Sequence, residues 1–353
     1  MTDERRTARL VADLIAIAEI PAPTFDEVRR IDWLEQRLTN APGTRTRDDA
    51  GNLVWRWSDG KPRVLVAAHV DNVFAAETDL TVRRADGLLV GPGVGDNAAA
   101  IAVTLNVVEQ LLDERPLAPG AVAFTVGEEG LGNLRGARAA IAALAPRLFI
   151  AVEGHLIDHV LVDAVGSVRA QVCVEGPGGH PWVDRGRPSA LHELLAVGHE
   201  LLKDGIGGSS VNIGLASGGR SVNSIADHAE LVVECRSLDP VTLDRFEALL
   251  RELEVPPPLT VRAEVLGRRP AGRLDHDHDL LRTVMAARTE LGLDTLLEAG
   301  STDANVALSS GIPALTLGVA RGGDMHTSGE WIDESSLEIG YRQLELVIRQ
   351  LLS

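Results

Sequence analysis

The chain has 353 residues, enough for about two domains of ordinary size, and 45% of them are hydrophobic, so a sizeable core can be buried. Only 3% are aromatic, which points to an aliphatic core with helices packed on Ala-rich faces. The 34 Lys and Arg against 51 Asp and Glu leave a formal net charge of −17, an acidic balance that repels phosphate backbones and argues against nucleic-acid binding. No apolar run reaches membrane-spanning length. Met1 to Arg9 is charged and lacks the apolar segment of a signal peptide. Cys173 and Cys235 are far apart and in no metal-binding spacing, the usage of a reducing compartment. The expected location is cytoplasmic.

A first helix is predicted over residues 3–19. Ile20-Pro21-Ala22-Pro23 then breaks the chain, and Thr24 with Glu27 has the spacing of a capping box for a second helix. Apolar runs at 53–57, 64–68, 121–126 and 148–152 predict strands of a mostly buried sheet. Ala-rich helices are expected over 97–112 and 134–144, and Asp86-Gly87 marks a hairpin between 80–84 and 88–90. From Val168 the order changes: strand 168–174, helix 188–203, strands 211–215 and 229–235, helix 240–253, strand 259–266. That βαββαβ order is ferredoxin-like. Helix–strand alternation then resumes over 280–291, 295–298, 303–309 and 314–318, with a final helix from Glu334. The predicted fold class is α/β, one mixed sheet flanked by helices, interrupted by an inserted α+β domain. The expected division is residues 1–166 and 270–353 for the first domain and 167–269 for the insert.

Five segments place acids or histidines where predicted strands end, the position of ligand sites in open α/β sheets. In Ala68-His69-Val70-Asp71, residues i and i+2 share a face, so Asp71 can orient a metal-bound His69; alone, the pair is a weak signal and reads first as a structural hydrogen bond. Gly91-Pro92-Gly93-Val94-Gly95-Asp96-Asn97 lacks the endings of a phosphate loop. Its glycines permit a turn that aims Asp96 inward, where a carboxylate can bridge two cations, although Asp96 could simply cap the next helix. Gly127-Glu128-Glu129-Gly130 sets two acids side by side, which repel unless positive charge sits between them. Val152-Glu153-Gly154-His155 and Asp324-Met325-His326-Thr327-Ser328-Gly329-Glu330 complete the set. Two histidines and three acids make an N/O ligand set for two zinc ions that share a carboxylate, with one acid of the Glu128-Glu129 pair left as a base.

In the same order, "AAHVDNV", "GPGVGDNAAAIAV", "VGEEGLGN", "AVEGH", "GPGGHPWVDRGRPSA", "VNIG", "SGGRSVNSIADHAELVVECR", "GSTDAN" and "MHTSGEWI" resemble the di-zinc metallopeptidase family of peptidase T, aminoacylase and succinyl-diaminopimelate desuccinylase. The resemblance covers nearly the whole chain. It implies a zinc-peptidase-like catalytic domain with a lid and dimerisation insert, and two divalent ions, Zn2+ or alternatively Co2+ or Mn2+. Asp96 would bridge them, His69 and Glu153 would complete one site, and Glu129 and His326 the other. Glu128 would be the general base and Asp71 the partner of His69. His180 would help hold the reaction oxyanion, reaching in dimeric members into the partner subunit. Asn212, Arg220, Asn223 and Arg236 would match or adjoin substrate contacts, Arg236 having the plain alternative of a salt-bridged strand residue.

Deacylase and carboxypeptidase branches commonly carry an Arg after the Thr-Ser-Asp stretch, to grip a substrate carboxylate. Here the run is Gly300-Ser301-Thr302-Asp303-Ala304-Asn305, which resembles the peptidase T side more closely, with Arg321 as a possible substitute. The expected activity is hydrolysis of a peptide bond, aminopeptidase-like, on short peptides. The rival expectations are deacylation of an N-acyl amino acid and a non-catalytic metal or peptide binder.

Overall fold

The computed structural model describes residues 3–114, 117–203 and 207–353. The chain divides into two compact units, one running up to Ala164 and resuming over Arg273–Ser353, the other spanning Val165–Gly272.

The first unit is built on a mixed sheet. Val64–His69 lies at its centre, parallel to Gly120–Thr125 on one side and to Leu148–Glu153 on the other. All six residues of Val64–His69 are buried, which is the pattern of a strand covered on both faces. Beyond Gly120–Thr125 come Leu53–Arg56 and Thr44–Arg47, both antiparallel to their neighbours. Beyond Leu148–Glu153 come Ala314–Gly318, parallel to it, and His159–Ala164, antiparallel, with Leu296–Gly300 parallel to the latter. Helices Asp3–Ala18, Ala100–Glu114, Ser336–Leu351 and Asp279–Glu290 pack in series, and Arg135–Leu144 packs on Gly120–Thr125 and on Ala304–Ser309. The core is aliphatic, Leu, Ile, Val and Ala with few rings.

Several elements depart from the sequence expectation. The predicted strands omit Thr44–Arg47, a Thr-Arg-Thr-Arg run with no apolar alternation, and His159–Ala164. The capping box is not formed. Helix Val28–Arg37 starts after Glu27 without a side-chain cap, because Phe25 has φ 79° and turns the chain. The Thr24 hydroxyl donates to Asp71 instead, and Glu27 accepts from the Phe25 amide.

A small antiparallel sheet decides the site. It runs Gly322–Gly323, Trp331–Asp333, Leu88–Val90, Arg83–Ala85. The hairpin of the last two turns at Asp86 and Gly87, φ 53° and 80°, the doubly left-handed turn that an Asp-Gly pair favours. Trp331 pairs with Val90, so the glycine-rich loop after Val90 and the His326 loop before Trp331 are hydrogen-bonded neighbours.

The second unit has the βαββαβ order Gly166–Glu175, Ala190–Lys203, Ser210–Gly218, His228–Ser237, Pro240–Arg251, Thr260–Arg269. Its four strands lie antiparallel, with His228–Ser237 and Gly166–Glu175 in the middle. Alternate residues of the central strands are buried with the two helices in a core of its own, and the other sheet face is polar. Among the described residues both cysteines are free thiols, and no helix is long and apolar enough to cross a membrane.

Candidate metal centre

Each candidate ligand of the first unit sits where an element stops. His69 and Glu153 are the last residues of parallel strands that adjoin in the sheet. Glu128 and Glu129 follow the strand Gly120–Thr125 across a turn at Gly127, φ 63°. Asp96 lies in an irregular turn, residues 94–99, ahead of helix Ala100–Glu114. His326 lies in the loop between Gly323 and Trp331, itself at φ 63°, a conformation that an L-residue holds only when its surroundings dictate it.

These elements bring five side chains into two clusters that share one carboxylate. His69 Nε2 is 3.0 Å from Asp96 Oδ1 and 3.4 Å from Glu153 Oε2. His326 Nε2 is 3.0 Å from Asp96 Oδ2 and 3.2 Å from Glu129 Oε1. Ligand-type atoms of His69, Asp96 and Glu153, and again of Asp96, Glu129 and His326, all lie within 4.8 Å of one another. A third grouping adds Glu128 to His69 and Glu129.

The electrostatics show what such a gathering requires. Burial alone would depress the His69 imidazole, yet the charges of Glu153, Asp71 and Asp96 hold its pKa well above the ordinary histidine value. Hydrogen bonds to Asp96 and Glu129 raise His326 to about 10. Burial lifts Glu153 to about 7, with Asp96 and Asp303 adding to it and His69 opposing. Burial acts on Asp96 in the same sense, but the two imidazoles outweigh it and keep that carboxylate well below its usual range. Three carboxylates around two single nitrogens are more acceptors than these donors can satisfy. Cations between them would satisfy all five, and imidazole and carboxylate donors of this kind suit zinc and its neighbours.

Asp71 is fully buried. His69 Nδ1 lies 3.1 Å from the main-chain oxygen of Asp71 and 3.6 Å from its carboxylate, so the imidazole is oriented by the peptide more than by the side chain. The carboxylate accepts from the amides of Glu128 and Glu129, 2.9 Å each, and from the Thr24 hydroxyl at 3.0 Å. Asp71 therefore fixes the turn that carries both glutamates.

Four further residues support the centre without being singled out by sequence. Glu330, wholly buried, accepts from the amides of Gly93, Gly95 and Asp96 at 2.8, 2.9 and 2.7 Å, and His155 Nε2 lies 2.9 Å from the same carboxylate. His155 thus belongs to the loop's support, whereas Glu153 faces His69. Arg30, wholly buried, donates to the carbonyls of Val70 and Ile20; burial lowers its pKa to about 10 while Asp71 and Asp96 pull it back. Asp303 accepts from Thr125 at 2.6 Å. A charged residue in a predicted apolar helix face was the available signal for Arg30; Glu330 had none beyond its place in the His326 segment.

The remaining predicted residues lie in the second unit. His180 is exposed, and its Nδ1 accepts from the amides of Trp182 and Val183, 3.3 Å each. That assigns the proton to Nε2 and leaves it as a donor. Arg220 pairs with Asp227 at 2.9 Å and Arg236 with Glu234 at 2.7 Å. The Ser221 hydroxyl donates to Asn223. Asn212 stands opposite Glu234 on the neighbouring strand. In the first unit, Arg321 reaches Asp158 through two 3.3 Å contacts, so its guanidinium is already paired.

A mixed α/β sheet that gathers imidazoles and carboxylates at its strand ends is a scaffold for a metal-dependent hydrolase. Residues 65–350 match the profile described as peptidase family M20/M25/M40, and the chain belongs to that family. Curated relatives include a probable carboxypeptidase of Aspergillus flavus, 27% identical over 221 residues. That match takes in 55% of this chain and 53% of the relative, so the chain aligns with only about half of that protein's length. An acetylornithine deacetylase of Myxococcus xanthus is 28% identical over 319 residues, 82% of this chain and 79% of that one. Among solved structures, a Staphylococcus aureus tripeptidase superposes with TM-score 0.79 at 22% identity, covering 98% of both chains. A Bacillus subtilis dinuclear metal-binding peptidase of the M20 family superposes with TM-score 0.69 at 16% identity, covering 99% of both.

Proposed function

We propose that this chain hydrolyses a peptide or related amide bond using two divalent cations, held by His69, Asp96 and Glu153 on one side and Asp96, Glu129 and His326 on the other. The observation that carries the proposal is the Asp96 carboxylate, each oxygen of which lies 3.0 Å from a different imidazole. The dinuclear peptidase of the same fold supports the pair of ions; zinc is the metal the donor set favours. Bound cations would acidify the attacking water and stabilise negative charge on the scissile carbonyl.

The protein's own part is positioning and proton transfer. Glu129 reaches His326, Glu128 groups with His69 and Glu129, and the family resemblance gives Glu128 the part of general base. It takes a proton from the attacking water and returns it to the leaving amine. Asp71 and Thr24 hold its backbone in place. Asp96 and Glu153 are mostly covered, 11% and 16% exposed, beside the buried His69, so their charges act across a poorly screened medium. The family resemblance gives His180 an oxyanion-binding part, and its Nε2–H tautomer is the donor form such a part needs.

For substrate, we favour short peptides cleaved as by an aminopeptidase. The absence of an Arg after Asp303, together with the pairing of Arg321 to Asp158, leaves free-carboxylate recognition without its usual cation there. The deacetylase relative keeps N-acyl amino acids as the second reading. Tripeptides with free and blocked N-termini, assayed beside acetylated and succinylated amino acids, separate the two. Glu128→Gln is expected to keep its metal content by elemental analysis while kcat falls by about 10²–10⁴. Wild-type turnover in that variant would remove Glu128 from proton transfer.

A further inference from the structure

The polar face of the second unit's sheet carries a separate group of metal-type donors. Cys173 and Glu175 are two apart on the strand Gly166–Glu175 and so share a face. His228 stands directly opposite Glu175 on the neighbouring strand, and Glu230 opposite Cys173. Directly paired residues on antiparallel strands project to one side, so all four side chains meet on that face. Cys173 Sγ is 3.5 Å from His228 Nδ1. One ligand-type atom each from Cys173, Glu175 and His228 lie within 4.8 Å of one another.

The surroundings resemble those of a ligand histidine. While Nδ1 faces the sulfur, the other ring nitrogen, Nε2, faces Glu230 Oε2 at 3.9 Å. Metal-bound histidines characteristically offer their second nitrogen to a carboxylate. Glu230 is itself anchored, accepting from Gln171 at 2.7 Å. The donors sit on the two central strands of the sheet, which limits how far they can drift apart. Their chemistry is selective. A thiolate with an imidazole and one carboxylate suits zinc-like borderline cations and not magnesium or calcium, which take oxygen.

We propose that Cys173, Glu175 and His228 bind a thiophilic divalent cation of the zinc type, with Glu230 steadying the imidazole. Three protein donors leave a tetrahedral ion one position for water or an incoming ligand. The group is open to solvent, His228 being 48% exposed, so the ion exchanges with the medium. This site is made wholly of second-unit residues and shares none with the centre formed by His69, Asp96 and His326.

Cobalt distinguishes the two, because a thiolate ligand gives Co2+ an intense near-ultraviolet charge-transfer band that nitrogen and oxygen ligands do not. The full-length chain is stripped with a chelator and titrated with Co2+. The band is expected in the wild type and in Asp96→Asn, and is lost in Cys173→Ser. His228→Gln should weaken the cobalt affinity read from the band by about tenfold or more. Circular dichroism reports whether each variant stays folded. A wild type without the band, a band that persists in Cys173→Ser, or an unaltered affinity in His228→Gln would each overturn the assignment.

Discussion

Asp71 illustrates how a residue chosen for one contact can act through another. Its sequence position beside His69 suggests an imidazole partner; the carboxylate lies 3.6 Å from His69 Nδ1 and also accepts from two amides and a hydroxyl. The i, i+2 rule places both side chains on one face and cannot say which donor arrives. Among the ligand candidates, His69 and Glu153 stand out in the sequence because each ends an apolar strand, whereas Asp96 and His326 lie in loops and draw notice only in company with the rest. Choosing Glu153 over His155 was not legible from alternation, since both have the same parity; the distant Glu330 decides it by engaging His155. Thr24 was misread because its true partner lies 47 positions away. At the same scale, Glu234 offers a test by pH. Burial opposes its charge, but hydrogen bonds from Arg236 and Arg169 prevail and set its pKa below the ordinary 4.5. A depressed folded-state pKa contributes stability above the unfolded value, lost as pH falls through the folded one. Glu234→Gln should therefore melt below the wild type at neutral pH, and the gap should close under acid conditions, as thermal unfolding at several pH values would show.

At the level of elements, the small sheet does more than its size suggests. It joins the loop bearing Asp96 to the loop bearing His326, and Glu330 clamps three amides of the first from the end of the second. Close approach is needed here. A Cβ on Gly154 would lie 1.7 Å from the carbonyl oxygen of Gly95, so the glycine lets the end of the Leu148–Glu153 strand meet the Asp96 loop. The sequence showed the hairpin, because Asp-Gly turns carry a local signal. It could not show the pairing of Leu88–Val90 with Trp331–Asp333, which joins segments far apart in the chain. Glu330→Gln would set an amide group where three N–H donors converge, leaving at least one buried donor unmet at a cost of about 1–3 kcal/mol. The expected result is a lower Tm and weaker metal retention on dialysis with Glu128 intact; unchanged values in both would show that the loop holds itself.

At the scale of the molecule, the second unit leaves and returns at neighbouring points. Ser167 on the strand Gly166–Glu175 pairs with Arg269 on Thr260–Arg269, so its entry and exit adjoin within the unit. With its own buried core, a chain covering residues 165–272 is expected to fold alone. A single cooperative melt with native-like circular dichroism would show it, and a featureless thermal scan would refute it. The βαββαβ order made this unit readable in advance, since each of its elements carries a clear period, whereas the first unit's edge strands do not.

The same interruption has a consequence in time. His69, Asp96, Glu129 and Glu153 all precede the insert, and His326 follows it. A ribosome delivers residues in order, at about 5–20 per second. The first cluster's donors thus exist in the nascent chain while more than a hundred insert residues are still to be made. The second cluster has to wait for them. In the proposed centre, a cation that arrives early would find only the first cluster complete, and the shared Asp96 carboxylate would stay one-sided until the last imidazole emerges.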